Sequence, residues 1–173
     1  GEIPVLLQQK RFNDALKTAD AYLNIFGEGN FYLELQGNSI PEQKIVNDGL
    51  LKISRELKIP VVATNDVHYL RKERASSHEA LLCIQTQTTL QDPNRMRFQT
   101  DDFYFKSPKE MKELFKDIPE AIENTITIAQ RCNLELDFKK IHLPKYEAPG
   151  GRDKEEFLRY LCGEGMKTRF PKA

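Results

Sequence analysis

The stretch PVVATNDVHYL at residues 60–70 decides the expected fold, because an apolar, β-branched run passes directly into two side chains that can bind a metal. Branched side chains favour extended backbone, so residues 61–64 predict a strand. Residues two positions apart on a strand point to the same face, and Asp66 and His68 would therefore converge. A carboxylate beside an imidazole is a candidate metal-binding pair.

The segment before this stretch predicts a strand, a helix and a second strand in succession. Residues 31–36 have the composition of a strand, and residues 39–57 that of a helix which opens with a proline and stops before Pro60. Short connections of this kind predict a βαβ unit with a parallel sheet. Functional sites of α/β folds lie at the carboxyl ends of such strands. Glu34, in the first strand, would either point toward this site or pair with a basic neighbour.

The remainder of the chain is predicted to be mainly helical. Within residues 71–84, Ala75, Leu81 and Leu82 are expected to face inward, and SPKE at residues 107–110 is a capping box. The other predicted elements are a helix at 12–26 ending at Gly27, a short strand at 103–106, helices beginning at Pro108 and Pro119, an edge strand at 134–138, a linker at 144–151 and a last helix at 153–170.

Composition narrows the classes of protein to consider. The 173 residues carry 26 basic and 26 acidic side chains, so no overall basicity points to nucleic acid and any DNA contact would be local. Cys83, Cys132 and Cys162 lie far apart and are expected to be reduced, mostly packed thiols. No long apolar span, signal peptide or lipidation motif occurs, which predicts a cytoplasmic protein. The chain begins without methionine and is expected to be an excerpt of a longer protein.

Two ligands are too few for a catalytic metal. Imidazole and carboxylate suit Zn²⁺, Mn²⁺ or Fe²⁺, but further ligands are needed. His78 and His142 are expected to be surface or supporting residues. The sequence contains no Gly-rich phosphate loop, Gly-x-Ser-x-Gly elbow, His-Glu-x-x-His motif or paired Cys-x-x-Cys.

Several ordered motifs resemble the alpha subunits of bacterial replicative DNA polymerase III, the C family of DNA polymerases. They run through nearly the whole chain, and they are ATNDVHY at 63–69, LLCIQT at 81–86, FYFKSPKEM at 103–111, PEAIENT at 119–125, IAQRC at 128–132, LPKY at 143–146 and FLRYLC at 157–162.

The resemblance implies an α/β fold class: the carboxyl-terminal part of a distorted (β/α) barrel of the polymerase-and-histidinol-phosphatase (PHP) type, followed by a mainly helical segment. Residues 1–70 would belong to the PHP domain, residues 71–143 would complete it as a mainly helical extension, and residues 144–173 would form a linker and the first helix of the palm region. Asp66 and His68 match the last metal-binding motif of the family, so the implied cofactor is a divalent ion, Zn²⁺ or Mn²⁺. Its other ligands would lie upstream, and the palm aspartates that hold Mg²⁺ would lie downstream.

The implied function is that of a fragment of a DNA-directed DNA polymerase, a nucleotidyltransferase of DNA replication that is inactive as a fragment. The complete PHP domain could be a metal-dependent phosphoesterase with 3′-5′ exonuclease proofreading activity. Alternatively, it could be a metal-stabilised docking module that binds a separate proofreading exonuclease subunit. A stand-alone PHP phosphatase is disfavoured, because the resemblance continues far beyond His68. The implied partners are primer-template DNA, the sliding clamp and the exonuclease subunit, with no membrane.

Overall fold

The structure, a computed structural model, describes residues 1–141 and 143–171. The chain divides into two compact units, Gly1–Asn133 and Leu134–Ala173. The elements of the described residues are α1 (Glu2–Gln8), α2 (Phe12–Phe26), β1 (Leu33–Gln36), α3 (Pro41–Leu57), β2 (Val61–Thr64), α4 (Ala75–Gln85), α5 (Pro108–Leu114), α6 (Pro119–Arg131) and α7 (Lys154–Arg169), with short 3₁₀ turns at Lys72–Arg74 and Pro149–Gly151.

The predicted βαβ unit forms the centre of the first unit. Strands β1 and β2 are parallel, with Leu33 opposite Val61 and Gln36 opposite Thr64. Along each strand one residue is buried and the next is more exposed, so one face of the sheet lies in the core. The carboxyl end of β2 leads directly to Asp66, as the sequence predicts.

Helices cover the buried face of this sheet. Helix α3 buries a stripe of one residue per turn, formed by Val46, Leu50 and Ile53. Helix α6 packs against β2, where the Asn124 side chain donates a hydrogen bond of 2.8 Å to the Val61 carbonyl. Buried hydrophobic side chains fill the space between, and they are Ile3, Leu7, Ala15, Ala19, Leu33, Leu35, Val46, Leu50, Ile53, Ile59, Val61, Ala63, Phe115 and Ala121.

Helix α1, which the sequence analysis did not predict, packs against α2 and α3. It approaches α3 at Gly49. A Cβ atom at Gly49 would lie 2.7 Å from Leu7 Cδ2 and 2.8 Å from Leu7 Cδ1. The two helices therefore meet more closely than a larger residue at this position would allow.

Most of the predicted helices are confirmed. Helix α2 ends before Gly27, whose φ of 82° is the left-handed conformation that glycine adopts easily. The capping box at Ser107 and Glu110 is present in full at the start of α5. Helices α6 and α7 also begin and end close to the predicted positions. The prediction of an α/β chain is confirmed as a mixture of helices and a small parallel sheet, and the barrel arrangement stays a prediction.

Two predicted strands are wrong. Residues 134–138 form no strand, and Leu134, Leu136 and Phe138 are exposed. Alternating apolar residues set only the directions of side chains, and they do not supply the neighbouring strand whose hydrogen bonds a strand needs. Residues 103–106 contribute one isolated bridge, between Tyr104 and Tyr69.

Two predictions of burial are also wrong. Leu81 is 59% exposed, whereas Leu82 and Cys83 are buried. Neighbouring residues on a helix are about 100° apart, so they cannot all face the core. All three cysteines are free, but Cys132 and Cys162 are exposed, contrary to the expectation of mostly packed thiols.

The second unit contains α7 and the segment before it. Asp153 caps α7, because its carboxylate accepts hydrogen bonds from the backbone N–H groups of Glu155 and Glu156. Phe157 lies between Tyr146 and Tyr160, with ring centroids 6.5 and 6.2 Å apart. Among the helices of the described residues, none is both long enough and apolar enough to cross a membrane.

Candidate metal site

Asp66 and His68 lie together just beyond the carboxyl end of β2. The Nδ1 atom of His68 is 3.4 Å from the Asp66 carbonyl oxygen and 3.5 Å from Asp66 Oδ1. The His68 side chain is 34% exposed and that of Asp66 is 42% exposed, so both are partly buried and partly accessible to solvent. The predicted convergence of the pair therefore occurs in the structure.

The backbone around His68 is held by a distant part of the chain. The His68 N–H donates to the Phe103 carbonyl over 2.8 Å, and the Phe105 N–H donates to the Tyr69 carbonyl over 3.0 Å. The Asn65 side chain donates to the Tyr104 carbonyl, also over 3.0 Å. These bonds fix the segment that carries both candidate ligands.

Aromatic rings surround the His68 imidazole. The ring centroid of Phe98 lies 4.7 Å away with an interplanar angle of 88°, and that of Phe103 lies 5.4 Å away at 90°. The His78 ring lies 5.6 Å away. Such perpendicular contacts are favourable arrangements of aromatic rings, and they restrict the rotation of the imidazole.

His78 is half-buried beside the pair. Burial lowers the pKa of His78, because it disfavours the charged imidazole, and the neighbouring His68 lowers it further. His78 also lines a cavity of about 240 Å³ between the first turns of α4 and residues 98–101. The other candidate, His142, lies outside the described residues.

Glu34 does not meet the basic neighbour that was expected. Its carboxylate accepts hydrogen bonds from the Thr64 hydroxyl over 2.5 Å and from the Gln36 amide over 3.4 Å. Both donors are neutral, and Glu34 makes no ion pair within residues 1–141 and 143–171. It lies on the more exposed face of the sheet with Gln36 and Thr64.

The pair fits a divalent metal as part of a larger ligand set. Two ligands of a tetrahedral ion, each bonded at about 2.1 Å, stand about 3.4 Å apart, and the Nδ1–Oδ1 distance is 3.5 Å. One imidazole nitrogen and one carboxylate are also donors that Zn²⁺ and Mn²⁺ accept. Within the part of the chain that the structure describes, no three His, Cys, Asp or Glu side chains are grouped to hold a metal. Further ligands are needed to complete the site.

The start of α5 supports the segment that holds His68. The Tyr104 hydroxyl donates to Glu110 Oε1 over 2.6 Å, and the Ser107 hydroxyl donates to Glu110 Oε2 over 2.6 Å. These hydrogen bonds lower the pKa of Glu110 to about 2, and the bond from the Ser107 hydroxyl contributes most. The ammonium groups of Lys106 and Lys72 lie over the Tyr104 ring at 4.6 and 5.9 Å. The capping box thereby anchors Tyr104. The residues on either side of it, Phe103 and Phe105, form the backbone hydrogen bonds to His68 and Tyr69.

The supporting residues Phe98 and Tyr104 were not predicted from sequence as parts of the site. Phe98 lies in a polar segment without periodicity, and Tyr104 was assigned only to a short strand. The capping box of Ser107 and Glu110 was predicted, but its sequence pattern does not indicate that Glu110 also accepts a hydrogen bond from Tyr104.

The chain is similar to proteins named DNA polymerase III subunit alpha. It is 42% identical over 172 residues to that of Borreliella burgdorferi, and the match covers 98% of this chain and 15% of the relative. It is 40% identical over 171 residues to that of Treponema pallidum, with the same coverage. It is 45% identical over 138 residues to the subunit of Campylobacter jejuni, and this match covers 80% of the chain and 11% of the relative. No family model matches. The chain thus spans about one seventh of the length of the first two curated relatives.

Proposed function

Because the chain belongs by sequence to the DNA polymerase III alpha family, as a segment of it, we propose that Asp66 and His68 are two ligands of a divalent metal site within a replicative DNA polymerase. The observation that carries this proposal is the placement of the pair, 3.5 Å apart at the end of a parallel strand. The remaining ligands would come from parts of the polymerase outside this chain, as would the Mg²⁺ site for nucleotidyl transfer.

The proposal assigns separate tasks to the residues of the site. Asp66 and His68 would bind the ion, and the Phe103 carbonyl would hold the backbone of His68 through its 2.8 Å hydrogen bond. A bound Zn²⁺ or Mn²⁺ would supply Lewis-acid chemistry suited to the cleavage of a phosphodiester. In this view the complete PHP domain is a 3′-5′ exonuclease that removes nucleotides from the primer end.

The docking alternative rests on a different observation. Aromatic rings pack around His68 at 4.7 to 5.6 Å, so a metal that held the imidazole in place would also stabilise its packing against Phe98 and Phe103. A metal with this purely structural role would stabilise the fold, while a separate exonuclease subunit bound to the domain does the proofreading. The complete protein, in either case, would act on primer-template DNA in the cytoplasm together with the sliding clamp. The proposal also includes the division of the chain after residue 70, where the helical extension of the PHP domain would begin, and after residue 143, where the linker to the palm would begin.

Elemental analysis of the full-length protein tests the metal site. The wild-type protein is expected to contain stoichiometric Zn²⁺ or Mn²⁺, and Asp66→Asn and His68→Ala are expected to lower the metal content. Asp20→Asn, an exposed carboxylate on α2, is the matched control and should keep the metal. Helices α5 and α6 should be little affected in any variant, so the total helix content of the protein, measured by circular dichroism, should not change. Unchanged metal content in both site variants would remove the assignment.

An exonuclease assay on primed DNA then separates the two functions. Cleavage from the 3′ end by the wild-type protein, lost in His68→Ala and kept in Asp20→Asn, would support the phosphoesterase. A metal-loaded protein that shortens no primer, but binds the exonuclease subunit less well after His68→Ala, would support the docking module.

A further inference from the structure

Residues 86–102, here called the return segment, connect α4 to Phe103 and are fastened to α4 at their middle. The guanidinium of Arg95 forms an ion pair with the Glu79 carboxylate at 2.5 Å, and the Arg95 side chain is only 14% exposed. The Thr88 N–H donates to the Cys83 carbonyl over 2.9 Å, and the Thr88 hydroxyl donates to Asp92 over 3.1 Å. This network gives an otherwise irregular segment a defined place beside α4.

Phe98 follows Arg95 by three residues and lies at the centre of the aromatic group around His68. Its ring centroid is 4.4 Å from that of Phe103, 4.7 Å from that of His68 and 5.1 Å from that of His78. Among these contacts the one with His68 is almost perpendicular, at 88°. Phe98 therefore touches the candidate ligand and both of its aromatic neighbours.

The geometry points to Phe98 as the positioning residue for the His68 imidazole, an inference that rests on the proposed metal site. The backbone of His68 is fixed by the Phe103 carbonyl, but that bond leaves the imidazole free to rotate about its side-chain torsions. The perpendicular contacts with Phe98 at 4.7 Å and Phe103 at 5.4 Å restrict that rotation, and Phe98 is the nearer ring. Together they keep Nδ1 at 3.5 Å from the Asp66 carboxylate. Groups that hydrogen-bond to metal ligands commonly change metal affinity by 10- to 100-fold when they are removed, and we expect an aromatic contact to act at the lower end of that range.

The network gives the return segment a role in the site. Arg95 and Glu79 hold the segment, the segment presents Phe98, and Phe98 orients His68. An aromatic ring is required at position 98 because only a flat ring offers a face or edge of the right breadth to a second ring. An aliphatic side chain of similar volume would fill the space without defining the angle.

Titration of the full-length protein with Co²⁺, a spectroscopic substitute for Zn²⁺, tests this inference. The variants are Phe98→Leu and Phe98→Met, which keep an apolar side chain, and Phe98→Tyr, which keeps the ring. The control is Phe138→Leu, a phenylalanine outside this network whose side chain is 88% exposed. We expect the Leu and Met variants to bind Co²⁺ about tenfold more weakly and to shift its visible absorption bands at saturation. Phe98→Tyr and the control should behave as the wild type.

The outcomes separate this inference from the proposed function. Co²⁺ binding by the wild type that is abolished in His68→Ala, but unchanged in affinity and spectrum in Phe98→Leu and Phe98→Met, would refute the positioning role and leave the metal site standing. Equal weakening in Phe138→Leu would also refute it, because the loss of affinity would then not depend on a contact with His68. A wild-type protein that binds no Co²⁺ would overturn the proposed function itself and this inference with it.

Discussion

Replacing Gly49 with alanine tests the close approach of α1 and α3. Alanine is favoured over glycine in a helix interior by about 1 kcal/mol, so the exchange would stabilise α3 in isolation. In the structure, however, the new methyl group would lie 2.7 and 2.8 Å from the two Cδ atoms of Leu7 and 3.1 Å from its Cγ. Rotation about the Cα–Cβ bond of Leu7 would move all three of these atoms, so the new methyl group fits only if Leu7 changes its rotamer.

The packing cost is expected to exceed the gain in helix propensity. Leu7 is only 5% exposed, so a changed rotamer would press its methyl groups against other buried side chains. Overpacking of this kind costs roughly 1–3 kcal/mol, which leaves Gly49→Ala destabilising by about 1 kcal/mol after the helix propensity gain. The free energy of unfolding of the 173-residue chain would be measured by urea denaturation followed by circular dichroism.

Two further variants make the result decisive. A Cβ at Gly163 in α7 would meet nothing within 4 Å, so Gly163→Ala should only raise the helix content of the chain. In a Leu7→Ala background the clash is absent, and Gly49→Ala should become stabilising by up to about 1 kcal/mol. A stabilising Gly49→Ala in the wild-type background would refute the described contact between α1 and α3.

Two more predictions concern the core and pH. Leu35→Ala removes a fully buried side chain and should lower the free energy of unfolding by roughly 3–5 kcal/mol in urea denaturation, whereas Leu70→Ala, at a position 75% exposed, should change it by less than about 0.5 kcal/mol. The pKa of Glu110 is lowered from 4.5 to about 2, so the stabilisation that its ionised form gives to α5 should be complete above pH 4.5 and lost as the pH falls through about 2. Titration of the Glu110 carboxyl by NMR should show this low pKa, and Ser107→Ala should move it back toward 4.5; an unchanged pKa in that variant would contradict the assigned cause.

Local sequence patterns were sufficient where each element is defined by its own residues. The apolar run at 61–64, the proline at Pro41 and the capping box at Ser107 each determine a strand or a helix end without help from distant residues. Residues 134–138 show the opposite case. Their alternation suits a strand, but a strand also needs a neighbour, and alternation carries no information about which segment will pair with it.

The candidate site was predictable to a similar degree. Asp66 and His68 could be named because extended backbone turns residues i and i+2 to the same side. The pair does meet in the structure, although β2 ends at Thr64 and both residues lie in the connection after it. Phe98 could not be named, since its place beside His68 depends on the ion pair of Arg95 with Glu79, which spans 16 residues of an irregular segment. Contacts of this kind are decided by tertiary packing and leave no periodic pattern.

The hydrogen bond from Asn65 to the Tyr104 carbonyl, which spans 39 residues, also sets an order of events during synthesis. At about 5–20 residues per second, a ribosome would add Tyr104 roughly 2–8 s after Asn65. Asp66 and His68 would therefore emerge as an unsupported carboxylate and imidazole, and their backbone would be fixed only once residues 103–105 have followed. The candidate pair is made early in the life of the nascent chain, whereas its rigid geometry is acquired late.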